Sequence, residues 1–65
     1  MAKVPQDFAR ALKAAGLTAF FLNYPPSHQR EHLKWIAEAK LQDARKKRIA
    51  KTIGMLNEKA SRRAR

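Results

Sequence analysis

Sixty-five residues carrying fifteen Lys and Arg against five Asp and Glu have a formal charge of +10, and a chain this short buries only about 60% of its unfolded surface. That allows one small domain without an internal catalytic cleft, and the charge favours anionic partners. With no cysteine, no apolar run near the ~20 residues of a membrane span and no apolar centre between Met1 and Gly16 to make a signal peptide, the expectation is a soluble, cytoplasmic protein without disulfides or thiolate metal sites.

Helical periodicity explains every segment, and no stretch alternates with period two over a strand's length. Pro5 suits a first helical position and Asp7 the positive end of the dipole. Phe8, Ala11, Leu12 and Ala15 then share one face, and Gly16 is a natural stop. Thr18 is the expected cap of a short second turn through Asn23, with Leu17 and Leu22 placed as a hydrophobic staple. Adjacent Phe20 and Phe21 cannot both point inward from so short a turn; Phe20 is assigned to the core, and which ring faces outward stays open. Pro25 and Pro26 end this element, since neither donates a backbone hydrogen bond.

The third helix is expected from Pro26 or Ser27 to Lys40, with Leu33, Ile36 and Ala37 on one face and His28, His32, Trp35 and Ala39 on the other. A break over Leu41–Ala44 follows, with Asp43 as N-cap. The alternative is one continuous helix from Ser27 to Lys59, which at ~1.5 Å per residue runs about 50 Å and cannot fold back to bury both its apolar ends. The last helix sets Ile49, Ile53, Leu56 and Ala60 on one seam, opposite Lys47, Arg48, Lys51, Lys59 and Arg62. Gly54 lowers its propensity by ~1 kcal/mol relative to Ala, a cost that a packing contact is expected to offset. The predicted fold is all-α: three main helices and a short extra turn between the first two, in one domain over 1–60 with a frayed basic tail over 61–65. Its core is Phe8, Leu12, Leu17, Phe20, Leu33, Ile36, Ile49, Ile53 and Leu56, with Trp35 beside it.

Two motifs carry possible chemistry. His28-Gln29-Arg30-Glu31-His32 matches H-x-x-E-H, in which two histidines one turn apart bind zinc. A third ligand has to come from Asp7, Glu38, Asp43 or Glu58, and a substrate cleft is not expected in so small a chain, so the histidines read instead as a half-buried face flanking Trp35. The charge is concentrated at Lys40, Arg45, Lys46, Lys47, Arg48 and Lys51, with Asp43 the one acid among them. These six are the candidate partner or polyanion site. Arg45 and Lys46 fall near a helix N-terminus, where cations oppose the dipole unless an anion compensates. With no Gly-rich phosphate loop and no Ser/His/Asp set, no catalytic residue, cofactor, metal or small-molecule substrate is expected.

Ser27, His28, Arg30, Glu31, Trp35, Ile36, Glu38, Ala39 and Lys40, with Arg45, Arg48, Ile49, Ala50 and Lys51, resemble in register the core pattern of the YdeI/OmpD-associated, or bacteriocin-protection, family. The resemblance extends outward through Val4–Gly16 and Thr52–Lys59. The chain departs from the pattern at His32, where the family has tyrosine, and at Asp43, where it more often has Glu after Pro. The resemblance implies a stress or bacteriocin-protection protein that acts by binding and not as an enzyme. A chain of +10 cannot sequester cationic peptides by charge, so the implied partner is a protein or an anionic surface. The residues alone support a competing reading: a small basic nucleic-acid-binding protein whose last helix makes non-specific phosphate contacts.

Overall fold

The computed structural model of the chain describes residues 4–63. Four helices follow one another: α1 (Gln6–Ala15), α2 (Thr18–Leu22), α3 (Pro26–Ala37) and α4 (Gln42–Arg63). No strand occurs among the described residues, so the fold is all-α, with α2 as the short element between α1 and α3.

Each helix end has a local cause. Pro5 flanks α1 instead of opening it, in an extended conformation (φ −60°, ψ 148°) whose carbonyl accepts the Ala9 N–H at 2.8 Å. Gly16 stops α1 at φ 69°, a conformation that costs other residues a Cβ clash. The Leu17 N–H then donates to Leu12 O at 2.8 Å and the Gly16 N–H to Lys13 O at 3.1 Å, while Leu17 and Leu12 both enter the core. Thr18 is the first residue of α2 and makes no side-chain cap. The expected staple fails as well, because Leu17 is buried while Leu22 is 58% exposed. The Gln29 side-chain amide satisfies the end of α2, donating to Leu22 O at 3.2 Å and to Tyr24 O at 2.8 Å.

The break between α3 and α4 covers Glu38–Leu41, three residues before the expected Leu41–Ala44, and the continuous helix is not formed. Burial decides this. Ala39 is only 6% exposed, and its N–H turns back to Ile36 O at 3.1 Å, tightening the chain so that Ala39 packs inward while Leu41 is left 75% exposed. The Leu41 carbonyl accepts the Arg45 N–H at 2.9 Å and starts α4. Asp43 therefore lies inside the first turn of α4, where its charge suits the dipole, and is not the N-cap.

At ~1.5 Å per residue, α4 is about 33 Å long and matches the 37 Å long axis of the molecule. Both α1 and α3 pack against it, and α2 packs against α1. The core is Phe8, Leu12, Leu17, Phe21, Leu33, Ile36, Ile49 and Leu56. Phe21 takes the place expected for Phe20. It is fully buried and meets Phe8 edge-on at 5.1 Å between centroids, whereas Phe20 is half-buried and tilts over Tyr24 at 5.4 Å. Ile53 is also only half-buried. The buried seam of α4 passes instead through Thr52, which is fully buried because its hydroxyl donates to Arg48 O at 2.9 Å. Gly54 has nothing within 4 Å of where a Cβ would stand, so no contact inside the chain offsets its helix cost. Helix continues past residue 60 to Arg63, with Arg62 donating to Glu58 one turn earlier at 2.7 Å; the rest of the basic tail, residues 64–65, lies outside the described residues.

Candidate functional site

The six basic residues singled out in the sequence divide between the fold and the surface. Arg45 and Arg48 turn inward. The Arg45 guanidinium holds Asp7 through Nε to Oδ2 at 2.5 Å and Nη2 to Oδ1 at 3.2 Å, joining the first turn of α4 to the first turn of α1. It also reaches Ile36 O at 3.5 Å. Arg48 donates from Nη1 to Trp35 O at 2.6 Å and lies 5.0 Å from the centroid of the Trp35 ring. These two carbonyls belong to the last turn of α3, where helical geometry leaves oxygens without intrahelical donors and the dipole favours cations. The arginines thus close the end of α3 from the neighbouring helix, and Asp7 supplies the anion that offsets Arg45 at the N-terminus of α4. The arginine beside it holds the Asp7 carboxyl below its ordinary pKa, and the Phe8 N–H assists at 2.9 Å.

Lys40, Lys46, Lys47 and Lys51 are exposed, and among the described residues none has a carboxylate within 4 Å. Lys47 and Lys51 stand one turn apart on the outer face of α4. Lys46 is turned about 100° from Lys47 and lines a groove between α1 and α4.

That groove has a volume of about 690 Å³. Its lining is mainly apolar, with Ala11, Ala14 and Ala15 from α1 and Ile49, Ala50, Ile53 and Gly54 from α4; Arg10, Lys46 and Asp7, the last held by Arg45, are its charged members.

The two histidines of the H-x-x-E-H string gather around Tyr24 and not around Trp35. The His28 ring meets Tyr24 edge-on at 5.7 Å, and His32 lies 6.1 Å from Tyr24 and 6.4 Å from Phe21. Lys59 places its ammonium 5.6 Å from the Tyr24 centroid. Burial lowers the His32 pKa below its ordinary value, with the charges of Lys59 and His28 acting in the same sense and Glu31 opposing. Among the described residues no cluster of three His, Asp or Glu suited to a metal is formed. The ring of Trp35 is half-buried and stacked by Arg48, outside the apolar core.

The family model described as "OmdA: Bacteriocin-protection, YdeI or OmpD-Associated" matches residues 1–59 of the chain. The chain belongs to this family. No curated protein and no solved structure matches it. In this OmdA-family chain the segment Arg45–Lys51, which carries much of the resemblance, contributes two arginines to the fold and leaves three lysines to solvent. The sequence places Ala11 and Ala15 on the apolar face of α1 and marks Gly54 as a helix cost, but it does not join them to Ala14 and Ala50 in one groove, because that depends on how α1 packs on α4. Ala14, where a solvent-facing helix ordinarily carries charge, was the remaining signal.

Proposed function

We propose that this OmdA-family protein acts by binding, without catalysis, and that it serves bacteriocin protection by engaging a protein partner or another anionic surface through its exposed lysines. The supporting observation is that Lys40, Lys46, Lys47 and Lys51 are exposed without a carboxylate partner among the described residues, while Arg45 and Arg48 are already committed to α3 and Asp7. At physiological salt the Debye length is ~8 Å, so isolated surface lysines add little by themselves and depend on contacts that a shaped partner provides.

A second reading, non-specific nucleic-acid binding, is favoured by one feature: Lys47 and Lys51 lie one turn apart on the outer face of the longest helix, a spacing compatible with phosphates. Base-reading Asn and Gln are scarce there, which argues against sequence specificity.

One experiment separates the readings. Lys46, Lys47 and Lys51 are replaced together by Gln, sparing Arg48 because of its bond to α3, and duplex DNA binding is titrated at 150 mM salt beside a pull-down from cell extract with and without nuclease. The protein reading expects negligible DNA affinity and a nuclease-resistant partner lost in the variant. Micromolar or tighter DNA binding, lost in the variant and weakening by about 0.9 log units per phosphate contact for each tenfold rise in salt, reverses the order.

A further inference from the structure

We infer that the groove between α1 and α4 is the seat of an acidic amphipathic helix donated by a partner protein. The inference rests on the reading that the protein works through a protein partner, and it names both the surface and the chemistry of what docks there.

The groove runs along α1 from Asp7 to Ala15 and along α4 from Gln42 to Gly54, about 12 Å and 18 Å at ~1.5 Å per residue, which is two to three turns of a third helix. Short side chains at Ala11, Ala14 and Ala50 let another helix approach closely, and Ile49 and Ile53 provide apolar lining. Gly54 lies on the same lining. A glycine in the middle of a 22-residue helix weakens it, and a Cβ there would meet nothing within 4 Å. The space above Gly54 is open to a residue from outside the chain, and at that position close backbone approach is the benefit glycine offers.

Charge selects the occupant. Arg10 and Lys46 line the groove, and the acid that lines it, Asp7, is already held by Arg45. A helix with leucine-like anchors at i, i+3, i+4 and i+7 and Glu or Asp on its flanks answers both features, in the helix-in-groove mode. A second copy of the chain does not fit, because a two-fold pairing over this surface brings the basic linings of two +10 molecules together.

The test uses the whole chain, isotope-labelled, and amide shifts in NMR. Three probes are titrated to ~1 mM: a synthetic helix of roughly 14 residues with leucines in that pattern and glutamates elsewhere, about 21 Å long; the same composition scrambled; and laurate. The inference expects the patterned peptide to shift the amides of Ala11, Ala14, Ala50, Ile53 and Gly54, and the scrambled peptide to bind at least tenfold more weakly. Arg10→Glu with Lys46→Glu should cost tenfold or more, and so should Ala50→Gln, which fills the groove from an exposed helix position without entering the core. Lys13→Gln with Lys34→Gln, exposed and outside the groove lining, should change the affinity by less than twofold. Absence of groove shifts at 1 mM peptide overturns the inference. So does laurate giving the same shifts and displacing the peptide, which would assign the groove to anionic amphiphiles, or a concentration-dependent dimer shifting these amides without any peptide. If the peptide instead binds through Lys47 and Lys51 with the groove silent, the docking surface fails while the binding function stands.

Discussion

Arg48 shows how a single residue's role depends on what its guanidinium meets. In the sequence it belongs to a run of cations, and a run of cations suggests polyanions. In the fold it satisfies a carbonyl at the end of α3 and covers the Trp35 ring at once. A charged hydrogen bond of this kind contributes about 1.5–3 kcal/mol, a large part of the stability available to a domain this small. Arg48→Gln should therefore lower the urea midpoint markedly and alter Trp35 fluorescence, while Lys47→Gln, which removes the same charge from the outer face, should stay within about 0.5 kcal/mol of wild type. Equal losses in both variants would make the effect one of net charge. Asp7 gives a second prediction at this scale. Its carboxyl is held below the ordinary value of 3.8 by Arg45, so the stabilisation is fully present above that value and disappears as pH falls through the lowered one. Asp7→Asn should remove that part of the acid transition below about pH 4, and an unchanged acid limb would show that the pair is not maintained in solution.

At the scale of elements, what could be read in the sequence and what could not have the same source. Helix periodicity, the Gly16 stop and the double proline are local signals, and local signals placed all four helices. The position of the α3–α4 break was misjudged because no proline or glycine marks it; it is set by the burial of Ala39 and by arginines arriving from a later helix. Phe20 and Phe21 could not be told apart because the choice depends on where Phe8 lies, 13 residues from Phe21 in the chain. Thr52 was overlooked as core because its polarity conceals that α4 itself accepts its hydroxyl hydrogen bond. Of the six candidate site residues, the sequence located the charge but could not show that α3 and Asp7 take up two of them. Gly54→Ala should raise the stability of the free chain by up to ~1 kcal/mol, since the methyl meets nothing and helix propensity improves; a lower melting temperature would mean that Gly54 is packed. His32, buried against Phe21 and Tyr24, has its pKa lowered. The unfolded chain then binds the proton more readily, so stability is complete above the ordinary value of 6.5 and is lost as pH falls through the lowered one. Replacing His32 with Tyr should flatten the melting temperature between pH 7 and about pH 5. A slope that persists in the variant would show that burial of His32 does not cause it.

For the whole molecule the dominant quantity is the imbalance of fifteen cations over five acids, gathered in a body 37 × 23 × 15 Å. Among the described residues only two ion pairs, Arg45 with Asp7 and Arg62 with Glu58, give attraction that salt could weaken. The second is an exposed i,i+4 pair worth ~0.5 kcal/mol or less. Against them stands repulsion among the remaining cations, which at 10 mM salt acts over a Debye length of ~30 Å, nearly the length of the molecule, and at 150 mM over only ~8 Å. Repulsion over that range destabilises the compact state more than two pairs can offset. The melting temperature should therefore rise as sodium chloride goes from 10 to 300 mM, by roughly 5 °C if about 1 kcal/mol of repulsion is removed, given the 4–8 °C per kcal/mol typical of a domain this size. The rise should be smaller in the variant with Lys46, Lys47 and Lys51 replaced by Gln, which starts with three fewer charges to screen. A melting temperature that falls with salt would mean that the Asp7–Arg45 pair outweighs the net charge, and the lysines of α4 would then carry no electrostatic strain for an acidic partner to relieve.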